Sequence, residues 1–347
     1  MQRVRVNPGE LLRFATDVLS AQGMSRPDAE TAAEVLVWAN ERGVDSHGVM
    51  RIPVYLAEMR TGEYNPAGQP VMRQLLPATF ILDCDRAPGP VCMMRAAARA
   101  IELAETFGVG IGLVSDPTHV GAIGRYAQWI AEQGYAALVI VAGLPLMAYH
   151  GAKVASIATA PIAIAVPAAT SATPPLLLDM ATSFMPYGRI QQAAAEGTSI
   201  PVGVAVDAEG NATTNPRRAT TLLPLGGAKG SGLSFMFECL TGILAATPII
   251  AQRGRGHRAP RQNAMIAVFN IANFRPLNNY RTDIQELAGF VKGLPRREGF
   301  HELLLPGERG NREAELRRQS GIPLSGSLWT ELNTIAGELG VAPIQTL

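Results

Sequence analysis

Cysteine is scarce in this chain of 347 residues: Cys84, Cys92 and Cys239 share no metal-ligand spacing and leave an odd thiol. That excludes a disulfide framework and fits a reducing cytoplasm. Five scattered histidines offer no zinc pattern, so no metal is expected. Charge of one sign is lacking as well, with 30 basic against 29 acidic residues and a net charge of +1. Without a long basic run there is no footprint for nucleic acid or an anionic membrane. The densest basic stretch, Arg253 to Arg261, includes Gly254, Gly256 and Pro260 and reads as a mobile surface loop. Long apolar runs are missing too. Ala136 to Tyr149 and Ala155 to Ala169 are interrupted by Gly143, Pro145, Pro161 and Pro167, too short to span a bilayer, and read as buried strands. Met1 to Glu10 has no apolar core of the kind a secretion signal needs, and no internal repeat is found.

What is present is ample core material: 47% hydrophobic and 17% charged residues support two or three lobes. The first sixty residues read as helices: Pro8 to Gln22 stopped by Gly23, Arg26 to Glu41 opened by Ser25 and Pro27, and His47 to Arg60 stopped by Gly62. From Pro77 strands alternate with helices: strand Thr79 to Asp83, helix Val91 to Thr106, strand Gly110 to Val114, helix Gly121 to Glu132, strand Ala136 to Ala142. Further strands are predicted at Ile162 to Val166, Leu176 to Leu178, Val202 to Val206 and Met265 to Phe269. Helices are predicted at Ser231 to Ala245, Thr282 to Lys292, Glu313 to Arg318 and Ser327 to Leu339. The pattern predicts a layered α/β fold. A helical lobe over residues 1–76, with 309–347 packing back on it, would accompany an α/β domain over 77–308.

Within the third helix, residues four apart share a face, so His47, Arg51 and Tyr55 form a stripe with Ser46 as candidate cap. Arginine pairs bidentately with a carboxylate, and histidine can donate or withdraw a proton near neutral pH. That combination suits a small 2-oxo acid, although the spacing by itself also fits a solvated face. The positive end of a helix dipole would disfavour the protonated His47. Pro53 inside the stripe predicts a kink.

Nucleotide fingerprints fail. Gly108-Val109-Gly110-Ile111-Gly112 precedes a strand instead of following one, and Gly226-Gly227-Ala228-Lys229-Gly230-Ser231-Gly232 has the wrong spacing before its lysine. The second still joins a cation, backbone N–H groups and a helix start, the elements of an anion site or of a simple turn with a surface lysine.

Six short motifs then occur in order: Ser46-His47-Gly48 with Arg51 and Tyr55; Thr118 to Ala122; Leu178 to Ser183; Gly227 to Leu233; Pro306-Gly307-Glu308; Gly321 to Leu324. Together they resemble the malate/L-lactate dehydrogenase family that lacks the Rossmann fold, over nearly the whole chain. That family includes ureidoglycolate and L-sulfolactate dehydrogenases, 2,3-diketo-L-gulonate reductase and the Δ1-piperideine-2-carboxylate reductases. The resemblance implies a homodimer with a family-specific mixed sheet and bound NAD or NADP. By it His47 is the proton donor, Ser46 and Asp179 form a relay to it, and Arg51 clamps the substrate carboxylate with Tyr55 and Thr159 nearby. His119 sits beside nicotinamide and substrate and competes for the acid/base role. Gly121, Ala122, Leu177, Leu178, Asp179, Ala228, Lys229, Pro306, Gly307 and Glu308 line the cofactor. His150, His257 and His301 are left as ordinary.

The chain departs from the family where a Gly-Thr-Asn-Pro turn is common: it reads Ala158-Thr159-Ala160-Pro161, which keeps a hydroxyl and loses an amide. Val120 and Arg125 replace aromatic residues. Expected is reversible, NAD(P)H-dependent reduction of a small 2-oxo acid or cyclic 2-imino acid; the alternative, motivated by the two alanines, is a non-catalytic dimeric sensor of nicotinamide or carboxylate. No marker separates NADH from NADPH.

Overall fold

The computed structural model describes residues 3–170, 173–252 and 262–347; the basic stretch Arg253–Arg261 lies outside the described residues. Strand β1 (Arg3–Val6) leads into α1 (Pro8–Ala21) and α2 (Arg26–Glu41). Both helices begin as their sequences dictate. Asn7 and Ser25 accept from the N–H groups of Gly9 and Asp28, and Pro8 and Pro27 occupy first-turn positions where no backbone donor is needed. Helix α3 covers Ile52–Arg60. Next come β2 (Val71–Leu76), β3 (Thr79–Asp83), α4 (Gly89–Phe107), β4 (Val109–Ser115), α5 (Gly124–Glu132) and β5 (Ala136–Gly143). Short strands β6 (Met147–Ala148) and β7 (Ala155–Ile157) precede β8 (Ile162–Val166), β9 (Leu176–Met180) and α6 (Tyr187–Glu196). They are followed by β10 (Ala205–Val206), β11 (Thr221–Leu222), α7 (Ala228–Glu238) with a π-turn to Ile243, and β12 (Gln262–Phe269). Helices α8 (Leu277–Lys292) and α9 (Glu308–Ser320), strand β13 (Ile322–Ser325) and α10 (Gly326–Leu339) complete the chain.

The main sheet has seven strands in the order β2-β3-β4-β12-β5-β8-β9. Only β3 and β4 pair in parallel, across the α4 crossover; β12 enters antiparallel between β4 and β5. The architecture is therefore a mixed α/β sheet and not a doubly wound parallel one. The alternate glycines of β4 receive a packing explanation here. A Cβ at Gly110 would lie 2.0 Å from the Ala100 carbonyl, so α4 presses directly on the strand, and one at Gly112 would lie 2.2 Å from the ring of Phe80 on the paired strand β3. Alanines 96, 97, 100 and 104 complete that close approach, and the sheet with α4 and α5 encloses the largest apolar core.

A second core joins the two ends of the chain. Strand β1 pairs antiparallel with β13, and Val6, Leu11, Phe14, Tyr55 and Tyr64 share one buried cluster with Ile322, Leu324, Leu332 and Ile335. Strand β13 and helix α10 thus pack with the N-terminal helices. A small sheet, β10-β11-β6-β7, with its own core around Ile190 and Val204, flanks the main one. The sequence reading lacked β1, β2, β6, β7, β11, β13 and α6, extended a strand back to Val202, and began the helix that carries Lys229 three residues late. No described helix is long and apolar enough to cross a membrane.

Candidate active site

The segment after α2 departs most from expectation. Gly43, at φ +74°, turns the chain out of α2, and two 3-10 turns, Asp45–His47 and Val49–Arg51, follow before α3 begins. There is no continuous helix from His47 to Arg60. Pro53 sits at the first turn of α3, so no kink arises. Ser46 does not cap a helix; its Oγ lies 3.0 Å from His47 Nδ1. Asn40 fills the space beneath the turn: its Nδ2 donates to Asp45 Oδ1 at 2.7 Å, its Oδ1 accepts from the Val49 N–H at 2.8 Å, and a Cβ on Gly48 would fall 2.1 Å from that oxygen. Only glycine fits at position 48.

His47 faces a second imidazole. Its ring stacks on that of His119, centroids 5.5 Å apart at 28°. His119 follows β4, in a connection anchored by the Thr118 hydroxyl, which accepts from Gly89 N–H at 2.8 Å and donates to the Ala87 carbonyl at 3.2 Å. The Gly121 N–H reaches His119 Nδ1 at 3.3 Å, and Tyr55 Oη lies 2.8 Å from the same nitrogen. An amide can only donate, so Nδ1 must accept, the phenol donates as well, and the ring proton resides on Nε2. Tyr55 is fully buried, and burial pushes its phenol well above the ordinary range, keeping it protonated. Tyr55 was expected near the substrate; the structure places its hydroxyl behind the His119 ring with no exposed surface. His47 is lowered to about 4, first by burial and second by the Arg51 guanidinium. The direction matches the expected disfavouring of imidazolium, but its causes are burial and a neighbouring cation. Arg51 is anchored by Nε donating to the Ser46 carbonyl at 2.7 Å.

A second group forms along β9, the edge strand of the main sheet. Asp179 Oδ2 accepts from the Gly124 N–H at 3.1 Å, and a Cβ on Gly124 would strike the same carboxylate. Burial raises the Asp179 carboxyl to about 6, against the pull of the Gly124 bond and Arg42. Arg42, lowered to about 10 by burial with Asp179 opposing, donates from Nη2 to the Gly307 carbonyl at 3.2 Å. Its guanidinium also stacks 5.0 Å over Trp38. Asp179 makes no hydrogen bond to Ser46 among the described residues, so the expected relay is not assembled; Ser46 instead lies against Gly188 of α6. By accessible surface His47 is half-buried and Asp179 exposed.

The two groups are neighbours because the same two loops supply both. Residues 42–51 carry Arg42 and His47, and residues 119–124 carry His119, Gly121, the buried Ala122 and the Gly124 donor. A third segment joins through Thr182, just past β9. Its N–H donates to the Thr159 carbonyl at 3.0 Å, its carbonyl accepts from Leu225 N–H at 2.8 Å, and a Cβ on Gly230 would meet that carbonyl at 2.4 Å. This brings the Lys229 turn and Thr159 to the same end of β9. Lys229 is exposed at the start of α7 and forms no ion pair among the described residues. Ala158 and Ala160 pack with Ile140 and Phe237, an apolar environment in which an asparagine side chain would need a partner.

A dinucleotide fits what is present. The 305–308 turn lies on the β9 edge, with Leu177 N–H donating to the Pro306 carbonyl at 3.2 Å, and the left-handed Gly307 leaves only 3.1 Å from a would-be Cβ to Leu177 N. Leu178 and Asp179 stand open beside this cradle. At the start of α7 the N–H groups of Gly227, Lys229, Gly230 and Ser231 bond to the carbonyls of Pro224, Gly226, Leu225 and Gly227, so this turn offers the exposed Lys229 cation to a phosphate. Glu308 is turned inward, accepting from Lys292 Nζ and from the Leu305 N–H at 2.8 Å. Among the described residues no three His, Cys, Asp or Glu side chains gather as metal ligands. Sequence reasoning missed Arg42, Asn40 and Gly124 as site residues; Arg42 carried only the signal of preceding a helix-ending glycine.

Two apposed imidazoles with a guanidinium close by therefore stand near the β9 edge, groups whose chemistry suits moving a proton and pairing with an anion. Comparison with known proteins gives the family. Residues 6–333 match the family described as malate/L-lactate dehydrogenase. Malate dehydrogenase of Pyrococcus horikoshii is 33% identical, covering 97% of this chain and 96% of its own. Ureidoglycolate dehydrogenase (NAD(+)) of Escherichia coli is 28% identical over 88% of each chain. The solved structure of sulfolactate dehydrogenase from Methanocaldococcus jannaschii superposes with a TM-score of 0.88 at 31% identity, covering 97% of this chain and 98% of that one. This chain belongs to the malate/L-lactate dehydrogenase family. It is an oxidoreductase that works with NAD or NADP.

Proposed function

We propose that this chain reduces a small 2-oxo acid or cyclic 2-imino acid, reversibly, with His47 delivering the proton to the carbonyl oxygen or imine nitrogen and Arg51 clamping the substrate carboxylate. The observation that carries this reading is the His47–His119 stack, 5.5 Å between centroids, with Arg51 close enough to depress His47. NADH or NADPH supplies the hydride when bound. Arg51 offers its remaining donors to the carboxylate, and that anion offsets the very charge that disfavours imidazolium at His47. Substrate binding therefore favours proton uptake at His47, where a general acid is worth about 10²- to 10⁴-fold. His119, with its proton on Nε2, stands as a fixed donor that stabilises charge growing on the substrate oxygen. Thr159 lines the substrate side. Leu177, Leu178, Asp179, Gly121, Ala122, Ala228, Lys229, Pro306 and Gly307 hold the cofactor, with Arg42 bracing Asp179 and the 305–308 turn.

The sensor alternative loses its motive, because Ala158 and Ala160 serve an apolar cluster. Leu233, Met236, Leu240 and Leu244 stand exposed on α7 and the turns after it, which supports a homodimer; three free thiols support a reducing compartment such as the cytoplasm. The deciding experiment offers pyruvate-like acids, malate-type 2-oxo acids and Δ1-piperideine-2-carboxylate with NADH and NADPH in turn. Cofactor consumption with at least one acid is expected, and none with any would overturn the reading.

A further inference from the structure

Helix α9, near the far end of the chain, reaches back to the His47 turn through one side chain. Arg317 is buried, its guanidinium about a tenth exposed. Nη1 donates to the Asn40 carbonyl at 2.6 Å and to Asp45 Oδ1 at 2.7 Å; Nη2 donates to Asp45 Oδ2 at 3.2 Å, and Nε to Glu313 Oε1 at 2.5 Å. The fork thus covers a last-turn carbonyl of α2 and grips both oxygens of the residue that opens the His47 turn. Asp45 Oδ1 is shared with Asn40 Nδ2, the amide on whose oxygen the Val49 N–H and the Gly48 approach depend. Asp45 is therefore held from two sides: by Asn40 from below and Arg317 from the C-terminal helix. The next two residues are Ser46 and His47.

We propose that Arg317, acting through Asp45 and Asn40, is a positioning residue that sets the His47–Arg51 turn over His119. The proposal rests on the reading of His47 as proton donor. A merely adhesive role for α9 has its own representative one residue away. Arg318 makes a two-pronged pair with Glu41, at 3.1 and 2.8 Å, between the same two helices and without touching the turn. Gripping α2 and setting the turn are thus separable by substitution.

The experiment compares Arg317→Met, Asp45→Asn, their double variant and Arg318→Gln for kcat, KM and NADH affinity by fluorescence titration. Displacing a reacting group by a fraction of its working distance is expected to lower kcat about 10- to 100-fold in each of the first two. The double variant falls no further than the worse single one, because both break one linkage. NADH affinity stays within about twofold of the parent in all four, since the turn is outside the cofactor cradle. Arg318→Gln keeps kcat near the parent value. Millimolar guanidinium added to Arg317→Ala restores part of kcat. If Arg317→Met does not fold, Asp45→Asn, whose side chain is nearly half exposed, carries the test. A readout independent of turnover is the His47 imidazole resonance, assigned with His47→Gln, which shifts in Arg317→Met or Asp45→Asn and not in Arg318→Gln. Parental kcat together with an unmoved resonance in folded Asp45→Asn and Arg317→Met overturns the proposal, as do multiplying losses in the double variant. Full turnover in His47→Ala instead overturns the proton-donor reading, and the resonance then decides the positioning claim by itself.

Discussion

The two loops that meet at the site each supply an imidazole, and they hold it in opposite ways. In the 118–124 loop His119 is fixed from behind: Tyr55 and the Gly121 amide both address Nδ1, which leaves one tautomer and one donor. In the 45–51 turn His47 has a serine hydroxyl on Nδ1, which can donate or accept, and a cation beside the ring. On the proposed reading, one ring keeps its proton in place and the other changes its charge. Fixed donors stabilise charge without reorganising, whereas a group that moves a proton must stay free to titrate. A pair of histidines that look alike in sequence thus differs in what stands behind each ring.

That contrast breaks most visibly at His47. His47→Ala is expected to lower kcat at least about a hundredfold with NADH affinity little changed; turnover at the parental rate would reassign the proton to His119. Next comes Arg51→Lys, which replaces a planar fork by a point charge and raises KM for the acid about tenfold or more, kcat changing less. Steady-state kinetics with the best substrate reads this, and an unchanged KM would remove Arg51 as the clamp. Tyr55→Phe sharpens the comparison from the other ring. It deletes one hydrogen bond to His119 Nδ1 in an otherwise isosteric buried position, so kcat should fall about three- to tenfold; no change would show that the Gly121 amide suffices.

The smallest effect concerns acid stability. The folded chain holds His47 near 4, below the ordinary 6.5, so between those values the unfolded chain binds the extra proton. His47's contribution is then fully present above pH 6.5 and is lost as pH falls toward 4. Asp179, raised from 3.8 to about 6, runs the other way: folding is favoured by its neutral form, and that advantage fades as pH rises through this window. Melting temperatures of the parent and His47→Gln between pH 7 and 4.5 separate the two. The variant should lose less on acidification, and parallel curves would contradict the depressed imidazole.

Local signals were legible where capping acts. Helix α2 begins and ends where Ser25, Pro27 and Gly43 require, and β3 and β8 fall at the residues their patterns indicate. The 45–51 turn was not legible, because the spacing of His47, Arg51 and Tyr55 mimics one helix face. Pro53 was the signal that a helix starts there, since proline is tolerated in a first turn and not in mid-helix. Strands β1 and β13 escaped because four-residue segments carry little periodicity and their pairing spans the whole chain. The candidate residues of the site were named from motif order; their partners were not. Tyr55, expected on a stripe facing the substrate, is buried with its hydroxyl on His119, and Asp179, expected beside Ser46, bonds to the Gly124 N–H near Arg42.

What the amino-acid order determined by itself is the inventory of reactive groups, the ends of α1 and α2 and the family, all of which rest on side-chain chemistry and on hydrogen bonds within a turn or two. Tertiary structure alone decided which nitrogen of His119 bears the proton, what depresses His47, and that an arginine 272 residues from Asp45 grips it. Those outcomes depend on burial and on contacts closed over long stretches of chain. Their free energy belongs to the assembled cores and to no local segment.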